Sequence, residues 1–303
     1  MKIIKYEKNN TINAKTAVAL GNFDGLHIGH QKLIETMIKE SRIKKLKSSV
    51  LLFNNHTKTV LNNVKAPEIL TTNEQKTELL ESLGLELIYS MDFNAEIMKL
   101  SPEEFVKKIL IDRLNAKLVV VGFDYKFGYK ATGDSEVLKQ LGKNYGFEVI
   151  IIGPVYSGDN IVSSTLIRDL LKKGKVKEAS ELLGRPFTMN GKVISGEKRG
   201  KSMGFPTANL SIEYNYLIPK FGVYKTKTVV NNKEYLSLTN VGTNPTFDEA
   251  KIHIETHILD FNENIYGEKI SIKYLDFIRE EIKFNTKGEL MVQVKNDIKA
   301  VKM

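Results

Sequence analysis

Two histidines three residues apart, His27 and His30, stand in the run Gly21-Asn22-Phe23-Asp24-Gly25-Leu26-His27-Ile28-Gly29-His30. The apolar stretch Ala17 to Leu20 before it reads as a buried strand. After it, Leu33, Ile34, Met37 and Ile38 fall on one face of a helix. The start of a helix presents backbone N–H groups without intrahelical acceptors and the positive end of the helix dipole, so this junction suits a nucleotide phosphate. Glycines let a triphosphate come close to the backbone, Gly29 above all, and two imidazoles one turn apart can both donate hydrogen bonds to phosphoryl oxygens. Neither needs to be a nucleophile. Two plainer readings compete: surface histidines at an exposed helix start, or a metal pair. The second is short of the three or four ligands a tight site needs, because the chain has no cysteine and Asp24 is the one acidic residue close by.

Stepping outward along the chain, apolar runs alternate with amphipathic segments up to about residue 184. Ala17 to Leu20, Val50 to Phe53, Glu86 to Ser90, Leu118 to Val121 and Val149 to Ile152 read as strands. Thr72 to Leu83 reads as a helix stopped at Gly84, and Ser101-Pro102-Glu103-Glu104 opens another with a capping box. Such alternation specifies a parallel sheet with right-handed crossovers. Two further loops then leave carboxyl ends of strands, as the histidine motif does. They are Gly122-Phe123-Asp124-Tyr125-Lys126-Phe127-Gly128, and Val162-Ser163-Ser164-Thr165-Leu166-Ile167-Arg168. In an open α/β sheet those ends share the edge where ligands bind. The second loop puts three hydroxyls at a helix start, which could be an ordinary cap. Its Arg168 could also bind phosphate bidentately, across from His27 and His30.

After Leu183-Gly184-Arg185-Pro186 the pattern becomes short and β-rich: Phe187 to Ile194, Gly222 to Val230, Tyr235 to Val241, Ile252 to Leu259 and Ile270 to Phe277. This spacing predicts a small antiparallel β-barrel, with a C-terminal helix from about Asn285 laying Leu290, Val294, Ile298 and Val301 on it. The division expected is therefore a first domain over 1–184 and a second over 185–303.

At 303 residues, two domains are the natural expectation, and 42% hydrophobic content is enough for two cores. A net charge of +9 attracts polyanions, nucleoside triphosphates or nucleic acid alike. No interleaved basic and aromatic stripe points to RNA, so no nucleic acid is expected. The absence of cysteine removes disulfides and thiolate catalysis and fits a reducing compartment. No apolar run has membrane-spanning length, and the charged amino terminus does not read as a signal peptide. The expectation is a cytoplasmic protein with no membrane partner, for which a homo-oligomer remains compatible.

The histidine motif resembles the H-x-G-H signature of the nucleotidylyltransferase superfamily, and Gly-Asn-Phe-Asp-Gly ahead of it resembles the FAD synthetase branch. The Gly122 to Gly128 segment, continuing to Gly133, and Ser-Ser-Thr-x-Ile-Arg follow in the order of that branch. The resemblance implies a Rossmann-like nucleotidylyltransferase domain transferring the adenylyl group of ATP to FMN, giving FAD and pyrophosphate. It implies that His27, His30, Ser164, Thr165 and Arg168 hold the ATP phosphates, that Asn22 and Asp24 shape the nucleotide site, and that Asp124 and Phe127 lie near the flavin. One departure is visible. Where the branch carries Phe-x-Pro-His-Pro, this chain has Phe53-Asn54-Asn55-His56-Thr57, without either proline. Class I aminoacyl-tRNA synthetases share the histidine signature, but Gly200-Lys201-Ser202-Met203-Gly204 does not match their second loop.

In the second half, Gly196-Glu197-Lys198-Arg199-Gly200-Lys201-Ser202 has one residue too few for a P-loop, and Pro206 breaks the helix a P-loop requires. With Gly204-Phe205-Pro206-Thr207-Ala208-Asn209, it resembles the riboflavin kinase motif. So do Gly222-Val223-Tyr224, the run Asn240 to Phe247, and Ile254-Glu255-Thr256-His257. The resemblance implies transfer of the γ-phosphoryl group of ATP to riboflavin. Glu255 would be the general base, Thr207 and Asn209 would hold Mg²⁺, and Gly196, Lys201 and Gly204 would lie over the nucleotide. His253, Glu255 and His257 alternate and would share one face of a strand, so a transition-metal site is a competing use of them. The expected function is thus a bifunctional flavin-cofactor enzyme acting on riboflavin, FMN and ATP with Mg²⁺. Two alternatives stay open: a kinase whose first domain is weak or inactive, and a non-catalytic flavin- or RNA-binding regulator.

Overall fold

The computed structural model describes residues 1–5, 12–54, 68–195, 204–246 and 249–302, without the side chains of 244–246 and 249–251. Two compact units divide between Ser163 and Ser164.

The first unit holds a six-stranded sheet of β1 (Lys2–Lys5), β2 (Thr16–Leu20), β3 (Lys47–Phe53), β4 (Leu87–Met91), β5 (Ala116–Gly122) and β8 (Glu148–Ile152). Their spatial order is β1-β4-β3-β2-β5-β8, and every neighbouring pair is parallel. All five expected strands are present, and β1 joins them at the edge. From β2 the chain winds outward through β3 to β4, then crosses back so that β5 lies on the other side of β2. That reversal opens a crevice outside the carboxyl ends of β2 and β5.

Residues of β2 alternate between two cores, which fixes the sheet between two layers. Ala17 and Ala19 face α1 (Ile28–Ile43) and meet Leu33, Ile34, Met37 and Ile38, as the helical spacing predicts. Val18 and Leu20 face the opposite core with Phe105, Ile109 and Leu110. Helix α2 (Asn73–Ser82) carries a capping box between Thr72 and Gln75, and Gly84 beyond its end has φ +83°. A short α3 (Ala95–Met98) precedes α4 (Pro102–Phe105), whose expected box joins Ser101 and Glu104. The helix then continues as a π-helical turn, Val106–Ile111, which the apolar spacing did not foretell. The unit is completed by the small ladder of β6 (Lys126–Phe127) and β7 (Gly133–Asp134), by α5 (Ser135–Tyr145), and by the hairpin of β9 (Tyr156–Ser157) and β10 (Asn160–Ile161).

The second unit begins with α6 (Ser164–Lys172) and α7 (Val176–Leu183). Six antiparallel strands follow: β11 (Phe187–Ile194), β12 (Ala208–Ser211), β13 (Gly222–Val230), β14 (Lys233–Thr246), β15 (Glu249–Ile258) and β16 (Lys269–Arg279). They close in the order β11-β12-β15-β14-β13-β16, with β16 pairing back to β11. Strand β12 is the one the apolar pattern did not announce. Inside the barrel, Thr226, Thr228, Ser237, Thr239 and Thr256 are fully buried and hydrogen-bond one another: Thr226 to Thr239 at 2.7 Å, Thr239 to Thr256 at 2.9 Å, Ser237 to Thr228 at 2.7 Å and Thr228 to Thr256 at 3.3 Å. Helix α8 (Lys287–Lys302) lays Val294, Ile298 and Val301 against Val223, Leu238 and Leu259, three of the four residues its periodicity put there, while Leu290, in the first turn, is outside that cluster. The Arg279 guanidinium anchors it by donating to both oxygens of Asp297, at 3.0 Å from Nε and 2.7 Å from Nη2.

Candidate active sites

In the first unit, the loop between β2 and α1 folds through three residues with positive φ: Phe23 (49°), Gly25 (80°) and Leu26 (41°). Glycine takes such a conformation freely, but the other two carry strain of about 1–3 kcal/mol each. Burial holds them there, with Phe23 0% and Leu26 1% exposed. Asp24 adds a polar clamp. Its carboxylate accepts from the N–H of Leu70 at 3.0 Å and of Thr71 at 3.2 Å, while the Gly25 N–H donates to Thr71 Oγ1 at 2.9 Å. The histidine loop is thereby tied to the turn that opens α2.

His27 is the N-cap of α1, and its Nδ1 accepts from the His30 N–H at 3.3 Å. Its Nε2 is therefore the nitrogen that carries the proton and points onward. The His30 ring stacks on His27 at 3.7 Å and meets the edge of Phe23 at 5.4 Å. A Cβ on Gly29 would come within 3.2 Å of the His27 ring, so Gly29 makes room for the imidazole itself. Neither histidine is the exposed surface residue of the plainer reading: His27 is buried and His30 half-buried. Desolvation first, then His27 and Lys76, hold His30 well below its usual value of 6.5, so the ring is neutral near pH 7. Its Nδ1 is buried without a hydrogen-bond partner. The neutral His30 ring can offer an N–H dipole to an anion, but it brings no formal charge.

At the crevice's other wall, Asp124 and Phe123 are exposed in the loop after β5, whereas Phe127 is 6% exposed and packs on Tyr125 and Phe105. Gly128 has φ +73°, and a Cβ there would lie 2.8 Å from the Pro102 nitrogen, which fixes this loop against the start of α4. Asn22 is exposed at the β2 loop. Ser164, Thr165 and Arg168 lie on α6 in the second unit, and His56 falls outside the described residues.

In the barrel, register assembles the second site. Asn209 on β12 pairs with Glu255 on β15, and Glu255 pairs with Asn240 on β14, so the three sit side by side on the outer face. Thr207, two residues before Asn209 in extended chain, is half-buried. His253, Glu255 and His257 are all half-exposed, while Ile254, Thr256 and Ile258 are buried, so the alternation expected of this strand holds. His257 acts as a positioning residue, since its Nδ1 lies 2.8 Å from the Pro206 carbonyl, which can only accept, and its ring meets the edge of Phe205 at 5.8 Å. It thus fixes the residues leading into Thr207. The described residues contain no group of three His, Cys, Asp or Glu side chains able to hold a metal. Thr207, Asn209 and Glu255 offer oxygen donors alone, which suits a hard cation sharing its shell with phosphates. Gly204 has φ +83° and open space where a Cβ would be, while Gly196 and Lys201 fall outside the described residues. Asn240 opens the run Asn240 to Phe247, but the sequence gives no sign that it stands beside Glu255; only the strand register reveals that.

Fold and sites define a two-unit chain: an α/β nucleotide-binding unit with a histidine-capped helix, and an antiparallel barrel with a carboxylate between two asparagines. The FAD synthetase family model matches residues 9–166, and the riboflavin kinase model matches residues 183–303. Bifunctional riboflavin kinase/FMN adenylyltransferase from Listeria monocytogenes is 41% identical, covering 92% of this chain and 89% of the relative. The protein of that name from Buchnera aphidicola subsp. Schizaphis graminum is 38% identical, covering 100% and 98%. A crystal structure from Streptococcus pneumoniae superposes with a TM-score of 0.91 at 35% identity, covering 99% of this chain and 98% of that one. That structure is described as a macrolide-efflux protein; no described helix of this chain is long and apolar enough to cross a membrane. The chain belongs to the bifunctional riboflavin kinase/FMN adenylyltransferase family.

Proposed function

We infer that the chain phosphorylates riboflavin with ATP to give FMN, and adenylylates FMN with a second ATP to give FAD and pyrophosphate. The observation that supports this reading is that each matched family region holds its own polar cluster: the capped histidine pair in the first, and the Asn209, Glu255 and Asn240 row in the second.

In the kinase reaction, the terminal ribityl hydroxyl attacks the γ-phosphorus, and ADP leaves. An alcohol is a poor nucleophile at neutral pH, so Glu255 accepts its proton as the bond forms. Thr207 and Asn209 would hold Mg²⁺, which when bound neutralises charge on the transferring group. Asn240, beside Glu255, keeps the carboxylate in a polar row. Gly196, Lys201 and Gly204 belong, by family resemblance, to the cover over the nucleotide.

In the adenylylation, an FMN phosphate oxygen attacks the α-phosphorus and pyrophosphate leaves. That oxygen is already anionic and needs no base, so the protein's work is positioning and charge stabilisation. His27 and His30 would donate to phosphoryl oxygens. Asp24 and Asn22 shape the loop that presents them, and Gly29 admits the His27 ring. Asp124 and Phe127 are assigned to the flavin side, and Ser164, Thr165 and Arg168 to the phosphates, on family resemblance alone. A first domain of 1–184 and a second of 185–303, and a cytoplasmic location, complete the reading.

Riboflavin, Mg²⁺ and ATP labelled at the α or the γ phosphate test it directly. Label from the γ position should appear in FMN and label from the α position in FAD. A chain that fixes γ label in FMN and never α label in FAD would be the kinase with an inactive first domain.

A further inference from the structure

In sequence Lys76 is unremarkable, one more lysine on an amphipathic helix. In the structure its backbone N–H bonds to the Thr72 carbonyl at 2.9 Å, one turn into α2. Helical side chains lean toward the N-terminus, so Lys76 reaches back over the Thr71–Thr72 turn. That turn is the one clamped by Asp24 and bonded to Gly25 of the histidine loop. The ammonium is half-buried and lies close enough to Asp24 and to His30 to interact electrostatically with both. Desolvation lowers its pKa and Asp24 offsets this in part. Among the described residues no hydrogen bond or salt bridge engages it. The Asp24 oxygens are themselves committed to the amides of Leu70 and Thr71.

A half-buried cation served by a shared carboxylate lacks full compensation for its lost hydration. Beside it stands His30 with an orphaned buried Nδ1, and a helix start capped by His27. The neutral His30 ring supplies at most an N–H dipole; a triphosphate also demands charge. We propose that Lys76 is a phosphate-binding residue of the adenylylation site, its ammonium taking β- and γ-phosphoryl oxygens of ATP next to His27 and His30. The proposal rests on the adenylyltransferase reading above.

The test uses the full chain and follows FAD formation from supplied FMN, riboflavin phosphorylation in the same preparations, and inhibition by AMP, which lacks the β and γ phosphates. Replacing Lys76→Gln should raise the KM for ATP about ten- to hundredfold, the range for losing a hydrogen bond to a charged group. The KM for FMN, the AMP inhibition constant and riboflavin phosphorylation should each stay within about threefold by the same argument. Lys76→Arg keeps the charge and should recover most of the ATP affinity. An unchanged ATP KM in Lys76→Gln overturns the proposal. So does equal weakening of ATP and AMP, or equal loss in Gln and Arg variants, either of which would make Lys76 a packing element of the loop and not a ligand of the outer phosphates. Should the unmodified chain form no FAD, the adenylyltransferase reading itself fails; normal FAD synthesis with an indifferent Lys76 sinks the lysine alone.

Discussion

Replacing Asp24 with alanine should separate the histidine loop from α2 and cost the first unit much of its stability. Asp24 is 4% exposed and accepts from two buried backbone amides, Leu70 at 3.0 Å and Thr71 at 3.2 Å. Alanine leaves both donors without an acceptor, at about 1–3 kcal/mol each, and removes the carboxylate opposing Lys76. A loss of about 4 kcal/mol follows, and for a unit of this length about 2–4 °C accompanies each kcal/mol, so its unfolding temperature should fall by about 8–16 °C. Asp24→Asn keeps Oδ1, to which both amides donate, and should lose about half as much. Scanning calorimetry of the full chain, with FAD formation from FMN and FMN formation from riboflavin assayed beside it, measures this. The expected pattern is a lowered transition in the first unit, impaired FAD synthesis and intact FMN synthesis. A transition within about 2 °C of the parent, on the same scale, or an alanine variant no worse than asparagine, would show that the clamp is not what holds the loop.

Glu255→Gln should lower riboflavin phosphorylation about 10²- to 10⁴-fold, the usual contribution of a positioned base, while FAD synthesis from supplied FMN continues; a phosphorylation rate near that of the parent removes Glu255 from the proton transfer. Gly191→Ala would place a methyl 2.5 Å from the Ser211 carbonyl and 2.6 Å from Leu210, forcing β11 and β12 apart; circular dichroism melts should show a destabilised barrel, and an unshifted melt contradicts that packing. The depressed pKa of His30 has a definite sign: the unfolded chain takes up this proton near pH 6.5 while the folded chain resists it. The stability it helps preserve is therefore full above pH 6.5 and falls below it, by at most about 1.4 kcal/mol per pH unit from this group. A His30→Asn variant should flatten the melting temperature below pH 6.5, down to about pH 5, the window below the unfolded value; an identical slope in both proteins would assign the acid sensitivity elsewhere.

The four inner strands of the first unit were legible because buried parallel strands are short uninterrupted apolar runs, and Val119 to Val121 could hardly read otherwise; β8, at the far edge, kept the run Val149 to Ile152. Strand β1 escaped because Lys2 and Lys5 close an edge strand of four residues. Strand β12 escaped because half of its four residues, Asn209 and Ser211, face outward as polar groups and leave too short an apolar signal. Motif residues announced themselves by type and spacing, as His27, His30 and Glu255 do. What spacing cannot carry is the contact between distant segments: the Asp24 clamp spans 46 residues to Leu70, and the neighbours of Glu255 depend on which strands pair and in what register. Lys76 belongs to this second kind, since nothing local distinguishes a lysine beside a carboxylate from one in water.

The five hydroxyls inside the barrel impose an all-or-none rule on sequence drift. Exchanging one threonine for valine keeps the shape but strands its former partner, a loss of about 1–3 kcal/mol, whereas exchanging the whole group for apolar isosteres could come close to neutral. A lineage taking single steps must cross the costly intermediates first. The hydroxyl lining should consequently outlast any advantage it now confers, persisting because each exit from it begins uphill.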